Sequence, residues 1–233
     1  MELLGKLLDY IHVLAGVLTL LAGPVAILSN RNMKLHRIAG KIFFYSMSIV
    51  VLSSVVSFVK HPQAVFYQFL LGIAVLVGYN ILRAIRAIQF MKGASPGGFD
   101  KGLVWFTGLS GLTMLAGAAV YINKGSGVAL PILFTVFGLG TLLDSLKFHR
   151  MIESPGISKG WWLRLHVLSM FTAIIASTTA FTVNVGGFLP WYLQWFGPAL
   201  LFQPFAIYFL RKRKLTKKAL ESTVPKGAVM ARA

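Results

Sequence analysis

Apolar residues in this chain run in long stretches bounded by charge, without the polar stripe that marks a helix half-exposed to water. A helix crossing ~30 Å of hydrocarbon needs about 20 such residues, because its backbone finds no water there and must bond to itself. Seven stretches qualify, at approximately 10–29, 42–59, 64–86, 104–122, 127–146, 164–186 and 189–210. The second is short and carries Ser46, Ser48, Ser53, Ser54 and Ser57, so its ends are the hardest to place. The pattern predicts an all-α integral membrane protein: a seven-helix bundle over residues 1–211, then a basic tail at 212–233 that reads as disordered. No small-residue cleavage site follows the first apolar run, so that run is expected to be a retained helix rather than a signal peptide.

Charge orients the bundle. Lys and Arg number 23 against 6 acidic residues, for a net +17. Basic residues resist translocation, and 20 of the 23 fall on one side of the seven-span arrangement, leaving only Lys6, Lys60 and Lys124 for the other. This places the N-terminus outside and the C-terminus in the cytosol. Trp161 and Trp162 before the sixth span, and Trp191 and Trp195 at the start of the seventh, are expected at the headgroup level. The basic run from Arg211 to Lys218 is expected to rest on anionic lipid of the bilayer. A nucleic-acid binder would gather such charge on one face of a soluble core; here it lies between apolar runs, so no nucleic-acid partner is expected.

Composition closes further routes. The chain has no cysteine, which removes disulfides, thiolate nucleophiles and Cys-ligated clusters. It holds no Walker loop, dinucleotide fingerprint, His-Glu-x-x-His or Gly-x-Ser-x-Gly, and too few acids for a paired-carboxylate mechanism. Hydrolase and ATPase chemistry are disfavoured.

What remains is a group of ionisable residues near the cytosolic ends of the spans, a costly place for charge and therefore a candidate site. Asp144 is expected to pair with Arg83 or Arg86 on a neighbouring helix, as an architectural ion pair. Histidines at equal depth on different helices are what a bis-imidazole haem b needs, with arginines beside them for the propionates. His166 facing His36 or His149, with Arg37 and Arg164 adjacent, fits that requirement. His12, one turn from Asp9 at the outer end of the first span, is a further candidate ligand, with His61 as its companion. The simpler reading is that these side chains snorkel to headgroups. Two other classes compete: a transporter or channel for a small anionic solute, and a scaffold or accessory subunit with no site.

Spans one and six share a stripe of small residues when His12-Val13-Leu14 is set over His166-Val167-Leu168, with Ala15 over Ser169 and Ala22 over Ala176. The two spans run in opposite directions, so the stripe suits either an inverted repeat or two helices packed alike. Gln194, Pro198, Gln203 and Pro204 in span seven, with Asn80 and Asn184, are candidates for a kink or a cavity lining.

His12 followed by Gly23-Pro24, Leu35-His36-Arg37-x-x-Gly40 entering span two, and Arg164-x-His166 opening span six together resemble a family of bacterial multi-pass membrane proteins classed as a domain of unknown function. The resemblance covers nearly the whole chain and implies a bacterial cytoplasmic membrane location without an assigned activity. The His-Arg-x-x-Gly segment is also similar to helix starts in b-type membrane cytochromes.

Overall fold

The computed structural model describes residues 2–125 and 127–212, with side chains from Lys6 to Arg211. Among these residues every regular element is a helix: α1 (Glu2–Leu28), α2 (Met33–Lys60), α3 (Val65–Met91), α4 (Gly98–Asn123), α5 (Ala129–Glu153), α6 (Lys159–Val185) and α7 (Trp191–Lys212). All seven are long and apolar enough to cross a membrane, and the chain is a multi-pass membrane protein. The tail expected beyond Lys212 lies outside the described residues.

The helices are longer than the apolar runs that announce them. At about 1.5 Å per residue, a 28-residue helix such as α2 spans roughly 42 Å, more than the ~30 Å of hydrocarbon. Most of the excess lies at the basic end. There α2 begins at Met33 rather than 42, α3 continues to Met91 and α5 to Glu153, while α4 and α6 begin at Gly98 and Lys159. Hydropathy stops at the first charge, whereas a helix stops where its capping does. Asn32 is extended and its side chain accepts from the Leu35 N–H at 3.2 Å, so the helix starts there. Lys34, His36, Arg37 and Lys41 are consequently helical rather than parts of a connection.

Short connections make chain neighbours antiparallel. Helices α1 and α2 form one hairpin and α4 and α5 another, with α3 and α6 packed together between them and α7 at the edge against α6. The second hairpin closes on glycine: a Cβ on Gly111 would sit 2.9 Å from Gly138 O, and one on Gly138 2.9 Å from Met114 Cβ. Without a hydrophobic drive between helices in lipid, such close approach is what gives the pair its packing energy. The small-residue stripe of α1 and α6 is likewise buried, at Ala15, Thr19, Ala22, Ser169 and Ala173.

Aromatic placement departs from expectation at one tryptophan. Trp162 is buried in a cluster with Phe90, Phe148 and Leu165, its ring 4.6 Å from that of Phe90. Trp195 packs edge-on against Phe69 at 5.2 Å. Trp162 belongs to the protein interior, because α6 extends past its apolar run and carries its packing surface with it, whereas Trp195 is half-buried.

Candidate functional site

At the basic end of the bundle, α1 ends with carbonyls that have no helical partner, as every helix does. The Asn30 N–H turns to Ile27 O, leaving Ala26 O without its usual i+4 donor. His36, in the first turns of α2, folds back across the hairpin and places Nδ1 2.8 Å from Ala26 O. On α6, His166 places Nδ1 3.1 Å from Ala84 O of α3. A carbonyl only accepts, so in both rings Nδ1 is the donor and carries the proton. The neutral imidazole then has its lone pair on Nε2, the form that binds a metal, with the ring held by the backbone. Neither Nε2 has a hydrogen-bond partner among the described residues.

His36 and His166 line the same cleft, which measures about 180 Å³ and lies between α1, α2 and α6, with Phe209 of α7 at its edge. The other walls are mostly apolar or small, including Gly23, Phe43, Met170, Phe171 and Ile174, with Asn30 adding a polar side chain. The histidines expected to face one another on α2 and α6 are thus brought to one space.

The remaining candidates lie elsewhere. His149 is half-buried on α5 against Trp105, with ring centres 5.9 Å apart, and does not line the cleft. Its helix packs against α4, on the far side of α3. Arg37 is exposed beside His36, and Arg164 lies over the Trp161 ring at 5.2 Å; neither lines the cleft. Arg164 is two residues from His166, which on a helix turns it to the opposite face. His12 sits toward the other end of the bundle, where its Nδ1 is 2.7 Å from Ser53 Oγ on α2. Ser53, and not Asp9, is therefore the hydrogen-bond partner of that ring. His61 stacks on Tyr67 at 4.9 Å. Among the described residues no three His, Cys, Asp or Glu side chains gather as a metal site.

A second polar centre stands one residue along α3 from Ala84. Arg83 is buried and its guanidinium is surrounded: Nη1 lies 2.7 Å from Asp144 Oδ2 and donates to Tyr79 OH at 2.9 Å. Nε donates to Ser169 Oγ at 2.9 Å and Nη2 to Asn80 Oδ1 at 2.8 Å. The group also lies over the Tyr79 ring at 4.5 Å. This knot ties α3 to α5 and α6, and it answers the question the sequence left open between Arg83 and Arg86.

Arg86 goes to a different acid. Its Nε and Nη2 each lie 2.7 Å from an oxygen of Asp100, which also accepts from the Gly97 N–H at 2.9 Å. A further bond joins Arg86 to Gln89. Asp100 is fully buried and forms a polar centre that the sequence reading does not single out. Its signal is an acidic residue in the first turn of a helix opened by Gly97-Gly98, where a carboxylate meets free N–H groups. Glu153, the third acid there, reaches Lys101 at 3.0 Å on the surface.

Comparison with known families adds a partial likeness. Residues 9–94 match the family described as "Predicted membrane protein (DUF2306)". That DUF2306 match covers α1 from Asp9 onward, α2 and α3, and holds His12, His36, Arg83 and Arg86, while His166 and Asp144 lie beyond it. No curated protein and no solved structure matches the chain, and the likeness to b-type cytochromes finds no support in the comparisons.

Proposed function

We propose that the cleft between His36 and His166 binds haem b, and that this multi-pass protein works in redox transfer or haem handling in the cytoplasmic membrane of a bacterium. The observation that carries the reading is the pair of rings lining one apolar cleft, each with its Nδ1–H on a backbone carbonyl and its Nε2 lone pair unengaged. A bare zinc ion would ask for three or four strong protein ligands, and among the lining residues only the two imidazoles are of that kind. Haem brings four nitrogens of its own and asks the protein for two axial ligands. Two donors in an apolar cleft are what it requires.

Size sets a condition. The cleft is smaller than the ~300–1,000 Å³ usual for an organic ligand, so haem entry parts the α1–α2 hairpin from α6. Arg37, exposed one residue from His36, is the propionate partner in this reading, and Arg164 is not. The charge asymmetry supports a cytosolic position for this end of the bundle.

The test is an absorption spectrum of the detergent-purified protein after expression with ample haem. The expected result is a Soret band that disappears in His36→Ala and His166→Ala and persists in His149→Ala and His12→Ala. A colourless wild-type protein, or a band that survives both cleft substitutions, overturns the proposal.

A further inference from the structure

Two prolines interrupt α7, and the bundle treats them differently. Each removes the N–H that would bond the carbonyl four residues earlier. For Pro198 that carbonyl is Gln194 O, and the Thr182 hydroxyl of α6 donates to it at 2.7 Å. For Pro204 it is Leu200 O, and no side-chain donor among the described residues takes the place of the lost N–H. Beside that carbonyl stands Gln203, close to the middle of the Trp191–Arg211 span and exposed on the bundle's outer surface.

An outward carboxamide at this depth is unusual within the molecule. Hydroxyls on outward faces bond back to their own helix, as Thr113 does to Ser110 O and Thr135 to Pro131 O. Gln194, on the same helix as Gln203, is engaged by Gly186 O and Leu189 O. Gln203 has no hydrogen-bond partner among the described residues, and its neighbours Leu200 and Phe205 are 69% and 59% exposed. In hydrocarbon, an unbonded amide and an unbonded carbonyl each cost free energy that a partner helix can recover.

We propose that this face of α7 is where two copies of the chain associate, α7 against α7, about a two-fold axis along the membrane normal. A carboxamide both donates and accepts. A second copy, related by a two-fold axis, therefore presents the complementary group at the matching position, and each Gln203 bonds across the axis to the other amide or to the Leu200 carbonyl freed by Pro204. The arrangement keeps both chains in the same membrane orientation. It is independent of the haem reading, since the cleft residues of α1, α2 and α6 take no part.

The absence of cysteine makes the test direct. Leu200→Cys, oxidised in native membranes with copper–phenanthroline, is expected to give a disulfide-linked product of twice the chain's mass. Adding Gln203→Leu weakens association roughly ten-fold, as loss of two symmetric interhelical hydrogen bonds implies, and the cross-linked fraction falls accordingly. Gln203→Asn keeps the carboxamide and retains most of the product. Leu109→Cys on α4, which is 61% exposed, stays monomeric. Four outcomes overturn the proposal: no dimer from Leu200→Cys, a dimer indifferent to Gln203→Leu, equal cross-linking at Leu109→Cys, or a product of any other mass.

Discussion

Arg83 and His166 are close neighbours across α3 and α6, yet the bundle deals with them in opposite ways. Arg83 reaches α6 through Ser169, and His166 reaches α3 through Ala84 O, the residue after Arg83. The arginine meets a carboxylate, two hydroxyls and an amide, and is sealed from solvent. The histidine is held at one nitrogen, and its ring lines a cleft shared with a second histidine held in the same manner. A polar group that is fully engaged fixes helix register. One held on one side and open on the other is placed to receive something.

The contrast predicts a graded set of outcomes. Arg83→Ala empties a buried site and leaves the hydrogen-bond partners Tyr79, Asn80 and Ser169 without their donor, which is expected to cost about 3 kcal/mol. Thermal unfolding in detergent would show a large drop in midpoint; a variant as stable as the parent would remove the distinction. Arg86→Gln strips the fully buried Asp100 of its charged partner and is expected to cost about 2 kcal/mol, because the Gly97 N–H still serves the carboxylate. His166→Ala loses one hydrogen bond to Ala84 O, worth about 1 kcal/mol, while abolishing haem absorption. A collapse of the fold in that variant would instead rank His166 with Arg83. Glu153→Gln, which breaks an exposed pair with Lys101, should leave the unfolding midpoint unchanged.

Much of this architecture is written in single runs of residues, and the rest depends on which runs become neighbours. Seven helices follow from seven apolar stretches, since nothing else satisfies a backbone in lipid. Their true ends do not follow from hydropathy, because a helix continues through the headgroups until a residue such as Asn32 caps it. His36 and His149 sit at similar depth in the sequence. Only helix packing decides that α2 and α6 share a cleft while α5 turns toward α4. The same holds for Arg83 and Arg86, one turn apart on α3 but facing Asp144 and Asp100 respectively. Asp100 was hidden because an acid after two glycines reads as part of a loop until the helix is seen to begin there.

The most direct measurement is low-temperature electron paramagnetic resonance of the oxidised, haem-loaded protein. Two imidazoles on one iron predict a low-spin ferric signal that is lost with the haem when either His36 or His166 is replaced by glycine and returns when haem is supplied together with free imidazole. A signal that stays low-spin in both single variants, or one lost only with His149, would contradict the assignment of this cleft.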